Sequence, residues 1–230
     1  MHFEYPEIGI CGLSCRLCPM YNTETKSKCN GCKTESRIAV GCPFITCAVK
    51  KKQIEFCWNC TENISCAKWS KHRELGKKYD SFKCYQKLED NIVFIQKNGV
   101  VQFEKLQKTR EQLLKEMLHV FNEGRSKRYY CIAATVFELD ELQNIIKEAT
   151  ENSKDLDLKE KSKLLHSLLD LAAQKKGYLL KLRNYFFSGL GYMIKFHPEL
   201  CPCQKNSWSS PRLLNPKLFL IDLQSSLKSR

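Results

Sequence analysis

Residues 11–66 read CGLSCRLCPMYNTETKSKCNGCKTESRIAVGCPFITCAVKKKQIEFCWNCTENISC, and this stretch holds ten of the fourteen cysteines of the 230-residue chain. They are Cys11, Cys15, Cys18, Cys29, Cys32, Cys42, Cys47, Cys57, Cys60 and Cys66. Gly12, Gly31, Gly41, Pro19 and Pro43 interrupt the segment, and no apolar period in it runs long enough to specify a helix or a strand. Such a segment must be held by whatever its thiols bind. A cysteine-rich stretch in a chain this long, without a secretory signal, reads as metal-ligating rather than as a disulfide framework.

Three Cys-x-x-Cys pairs, Cys15/Cys18, Cys29/Cys32 and Cys57/Cys60, are knuckles. Two intervening residues turn the chain so that both sulfurs reach one ion at about 2.3 Å. Cys29, Cys32, Cys42 and Cys47 offer four thiolates in one short run and are expected to form the better-defined site. Cys11, Cys15 and Cys18 with Cys57, Cys60 and Cys66 supply six thiols for a second site, two more than a tetrahedral ion uses. The pairing therefore stays open between a third ion, an iron–sulfur cluster and spare cysteines. None of the five histidines falls between Cys11 and Cys66, so the ligation is all-thiolate, and soft sulfur sites select zinc or iron–sulfur. The expected cofactor is zinc, about two ions in closed structural sites, with an iron–sulfur redox or electron-transfer centre as the alternative. The spacing Cys11-x3-Cys15-x2-Cys18 is also that of radical S-adenosylmethionine enzymes, but the rest of the chain lacks the alternating strands and helices of their barrel.

The remaining composition sets the surroundings. With 43% hydrophobic residues the chain can build a core, which excludes a disordered protein. The opening residues have no signal-like pattern and no segment is apolar enough to span a bilayer, so a cytoplasmic protein without a membrane partner is expected. The formal charge is +13, and between residues 50 and 130 eighteen basic residues stand against ten acidic ones. Lys50, Lys51, Lys52, Lys68, Lys71, Arg73, Lys77 and Lys78 lead this excess, with Phe56, Trp58, Trp69, Tyr79, Phe82 and Tyr85 interleaved. Basic and aromatic residues so mixed suit RNA or another polyanion, through phosphate contacts and base stacking. The bland alternative is a solvated basic face over buried aromatics. No catalytic constellation is visible.

Beyond residue 86 the texture becomes helical. Leu88, Ile92 and Ile95 share a face that Asn98-Gly99 ends, and Phe103, Leu106, Leu113, Met117 and Phe121 trace a second helix. The apolar run 131–137 is read as helix or loop, and Asp140 with Gln143 as a capping box opening a helix that buries Leu142, Ile145, Ile146 and Ala149. The longest helix is expected from about Leu158 to Phe187, with Leu164, Leu168, Leu171, Lys175, Tyr178, Leu182 and Tyr185 as its packing stripe and Leu165, Ala172, Leu179 and Phe186 beside it. The fold class is thus mainly α: an irregular cysteine-rich metal-knuckle module over residues 1–84, a helical bundle over 85–196, and a poorly ordered tail over 197–230 in which Leu218–Leu223 docks back.

Gly9-Ile10-Cys11-Gly12-Leu13-Ser14-Cys15, Cys18-Pro19, Cys29-Asn30-Gly31-Cys32, Cys47-Ala48 ahead of Glu55-Phe56-Cys57, and Cys60 to Cys66 carry a family likeness. Over roughly residues 8–150 the chain resembles the cysteine-rich domain-of-unknown-function family numbered 3795, which occurs largely in anaerobic bacteria and archaea. The resemblance implies a cytosolic, metal-binding protein and no particular reaction.

Overall fold

The computed structural model describes residues 2–26, 28–40, 43–78 and 84–181. Cys42, Tyr79, Phe82, Cys201, Cys203 and the expected tail lie outside the described residues. Among those described the protein is mainly helical, and its only β pairing is one isolated antiparallel bridge between Ile8 and Ser14. None of the described helices is long and apolar enough to cross a membrane.

The first 66 residues form short turns. α1 (Glu35–Val40) and α2 (Pro43–Ile45) are brief, and α2 runs into a π-helical turn over Thr46–Lys51. A single 3-10 turn covers Cys57–Asn59. α3 (Ala67–Lys78) is the first regular helix of length. α4 (Leu88–Asn98) buries Leu88, Ile92 and Ile95, as their spacing predicts, and ends at Gly99 with φ 83°. α5 (Val100–Val120) follows at once and packs on α4, α6 and α7.

The run 131–137, which periodicity leaves undecided, belongs to α6 (Lys127–Val136) up to its last residue. Tyr130, Cys131, Ile132, Ala133, Ala134 and Val136 are all buried there, and so nearly continuous a buried run carries no period, although Arg128 in the first turn is exposed. Its C-terminus is held by Arg110 of α5, whose Nη1 donates to the carbonyls of Ala134 (2.8 Å) and Phe137 (2.5 Å). That guanidinium is buried, and its charge sits where the helix dipole is negative.

α7 (Leu139–Glu151) buries Leu142, Ile145, Ile146 and Ala149. The expected capping box at Asp140 does not form. The helix starts one residue after Glu138, which caps without a side-chain bond, so Asp140 and Glu141 already lie in the first turn. A capping box forms instead at α8 (Leu158–Lys176): Glu160 N–H donates to Asp157 Oδ1 (2.8 Å) and Asp157 N–H to Glu160 Oε2 (3.2 Å).

α8 stops short of the expected Phe187, because Gly177 turns left-handed at φ 69° and caps the last turn. Its buried line is Ser162, Leu165, Leu169 and Ala173, one step around from the expected stripe, and Leu171 is 54% exposed. Leu182, Tyr185 and Phe186 of that stripe lie outside the described residues.

Two apolar clusters join the cysteine-rich turns to α4 and α5. Ile8 and Phe56 pack with Ile95 and Phe103, and Leu13 and Trp69 pack with Leu88 and Ile92. Arg16 adds a polar tie: Nη1 donates to Glu111 (2.7 Å), and Glu7 and Glu104 lie at 3.4 and 3.6 Å. The module and the bundle thus share their cores.

Candidate metal centre

Backbone bonds decide which thiols meet. The Ile8–Ser14 bridge closes a tight loop in which Gly9 N–H donates to Leu13 O (2.8 Å) and Gly12 N–H to Gly9 O (2.9 Å). Gly12 sits at φ 87°, and a Cβ there would stand 3.4 Å from both Trp58 and Ile92. The loop presents Ile10 O to Cys57 N–H (3.1 Å), so the third knuckle is laid beside Cys11. Within that knuckle Cys60 N–H donates to Cys57 O (3.2 Å), and Asn63 N–H to Cys60 O (3.0 Å) leads the chain round to Cys66. Cys47 arrives on the π-helical turn, where Ile54 N–H donates to Ala48 O (2.9 Å) and folds the chain back toward Cys57.

Cys57 is consequently surrounded by thiols. Burial first, then the charges of Cys11, Cys47, Cys66 and Cys60, push it far above the usual thiol range. Cys11, Cys57 and Cys66 pack against the Leu13, Trp69, Leu88 and Ile92 cluster. Cys60 is half-buried, and nearby Lys52 meets Glu62 at 2.6 Å.

The other knuckles meet elsewhere. Cys18 N–H donates to Cys15 O (3.0 Å), and Cys29 N–H to Met20 O (2.9 Å), which sets the second knuckle against the end of the first. Gly31, at φ 107°, makes the turn between Cys29 and Cys32 and lies against Pro6 O. Cys15, Cys18 and Cys29 are only 2, 5 and 7% exposed, and Cys32 is half-buried. Beside them Lys33 is held by Tyr5 O (2.9 Å), Glu55 Oε1 (2.5 Å) and the face of Phe56 (4.0 Å). Burial lowers the Lys33 pKa; Glu55 opposes this, and the charges of Cys15 and Cys32 act in the same sense as Glu55.

Cys42, one of the four thiols of the expected Cys29, Cys32, Cys42 and Cys47 site, lies outside the described residues. The bond from Cys57 N–H to Ile10 O and the turn at Ala48 bring Cys11 and Cys47 toward Cys57, which spacing alone does not show. Among the described residues no three His, Cys, Asp or Glu side chains stand so as to hold one ion as they are. The donors are soft sulfur throughout, which fits zinc or an iron–sulfur core.

The described aromatics of the basic stretch pack into the fold to different degrees. Phe56 and Trp69 are buried, at 3 and 2% exposure, and Trp58 stacks on Phe56 at 4.2 Å. Lys52 pairs with Glu62, and Arg73 Nε donates to Glu89 (2.7 Å). Lys50, Lys51, Lys68 and Lys71 are exposed, and Lys77 and Lys78 belong to the last turn of α3.

One polar cluster escaped the sequence reading. Glu123 Oε2 accepts from Ser126 (2.7 Å) and Ser162 (2.6 Å), Ser126 Oγ meets His166 Nε2 at 2.8 Å, and Tyr129 stacks on the His166 ring at 3.9 Å. Its members come from α8, α6 and the turn before α6, so no local spacing could announce it. It holds the turn over 121–126 to α8.

No curated protein and no solved structure matches the chain. Residues 7–71, which carry all ten clustered cysteines and end within α3, match the family described as Protein of unknown function (DUF3795).

Proposed function

We propose that the N-terminal module binds zinc through its clustered thiols and serves as a metal-held scaffold seated on the helical bundle. The observation that carries this reading is that Cys11, Cys57 and Cys66 all pack against the one cluster of Leu13, Trp69, Leu88 and Ile92, with Cys47 and Cys60 within electrostatic reach of Cys57. Thiols so placed repel one another once ionised, and Cys57 is held protonated by burial and by that repulsion. A divalent cation inverts this balance, since it is the largest local charge and deprotonates the sulfurs it takes. The donors arrive on four separate turns, so the ion draws those segments together beside the apolar clusters that seat them on α4 and α5.

Metal analysis of anaerobically purified full-length protein tests the proposal. Bound zinc that falls by one equivalent in Cys57→Ser is the expected result. A metal-free protein with the module fully folded overturns it. Iron and sulfide in place of zinc, with the broad visible absorbance of a cluster, assign the same thiols to a redox centre instead.

A further inference from the structure

We infer that a single buried water molecule joins the cysteine-rich module to the helical bundle, bridging Ser14 of the module and Gln107 of α5.

The site is a cavity of about 20 Å³ where the loop closed by the Ile8–Ser14 bridge meets α4, α5 and α6. Leu13, Ser14, Leu17, Asn91, Gln107 and Thr135 are among its walls. Two polar groups there lack partners. Ser14 Oγ is buried and makes no hydrogen bond. Gln107 is only 3% exposed, and its side-chain amide bonds to no other group. Buried polar groups in folded proteins are met by another protein group or by an ordered water, because leaving them bare forfeits their hydration with nothing in return.

Size and chemistry select the ligand. A water needs roughly 10–15 Å³ and two to four polar partners, and the cavity offers both. Among the described residues no carboxylate, ammonium or guanidinium group lines it, which favours a neutral molecule over an ion. Water accepts from the Ser14 hydroxyl and donates to Gln107 Oε1. A second proton remains for Asn91 Oδ1 or Thr135 Oγ1, since Asn91 Nδ2 donates to Gly12 O (3.3 Å) and Thr135 Oγ1 to Cys131 O (2.7 Å), leaving both oxygens free to accept. The bridge adds a polar link at the centre of a junction otherwise formed by the two apolar clusters and by Arg16 with Glu111.

A high-resolution crystal structure of the full-length protein gives the first test. One ordered density peak within hydrogen-bond distance of Ser14 Oγ and the Gln107 amide is expected, and it should vanish in the Ser14→Ala, Gln107→Met double variant. An empty cavity, or a direct bond between Ser14 and Gln107, overturns the inference. Thermal unfolding of the two single variants and the double variant needs no crystal. Each single change strands the remaining partner and should lower the melting temperature by about 2–4 °C. The double variant removes the water with both of its partners and should lose clearly less than the two single losses combined. Losses that simply add overturn the bridge. Neither test bears on what the thiols hold, so the zinc reading stands or falls separately.

Discussion

Gly12 shows how a single residue shapes the loop that carries Cys11. Its φ of 87° lies in the left-handed region, and the space where a Cβ would go is bounded by Trp58 and Ile92 at 3.4 Å. Gly12→Ala must bear the backbone strain of that conformation, roughly 1–2 kcal/mol. We expect urea unfolding to show at least that loss, with the loop carrying Cys11 displaced. At the same scale, His166 is pushed below its ordinary 6.5 by burial, against the pull of Glu123 and Asp170 and with a small push from Lys181. The unfolded chain therefore binds this proton more readily than the folded one, and stability falls as pH drops below 6.5 toward the folded pKa. The buried or hydrogen-bonded carboxylates Glu55, Glu111 and Glu123 are held below their ordinary 4.5 despite partial burial, so their acid limb begins only beneath that value. Melting temperatures of His166→Asn should therefore lose the pH dependence between 6.5 and 4.5 and keep the limb below it. An unchanged profile would remove His166 from the account.

Among the elements, legibility followed the local code. α4, α5 and α7 could be read because each buries one face at a helical period and meets its neighbours along it. The stripe of α8 was misplaced because apolar residues crowd two adjacent rows, and only packing on α7 selects Leu165 and Leu169 over Leu164, Leu168 and Leu171. The cysteines could be read as a cluster in sequence, but which of them come near one another depends on long-range backbone bonds such as Cys57 N–H to Ile10 O. The ends of α8 offer direct checks. Asp157→Ala removes the acceptor of the Glu160 N–H and should cost about 1 kcal/mol. Gly177→Ala places a side chain at φ 69° and should cost about 1 kcal/mol as well, both read by thermal or urea unfolding. If Gly177→Ala is neutral, the chain continues past the cap and the longer helix is restored.

At the scale of the whole molecule, the shared cores determine how far loss of metal should spread. Leu13, Trp69, Leu88 and Ile92 form one cluster, and Ile8, Phe56, Ile95 and Phe103 another, so each mixes residues of the cysteine-rich turns with residues of α4 or α5. The larger core, with Leu114, Met117, Tyr130, Ile132, Phe137, Leu142, Ile146, Leu165 and Leu169, draws mainly on α5 to α8 and needs little from the module. If the thiols are held by zinc, a chelator should therefore act in steps. Residues 8–66 lose their order first, because they hold only short helical turns of their own. α4 follows in part, since its buried residues Leu88, Ile92 and Ile95 all lose partners supplied by the module. Hydrogen exchange with and without chelator reads this sequence. Protection should vanish over 8–66, fall over 88–98, and persist over 127–151 and 158–176. Collapse of protection in α6 to α8 as well would show that Arg16, with Glu104 and Glu111 on α5, couples the two halves more tightly than their apolar clusters do.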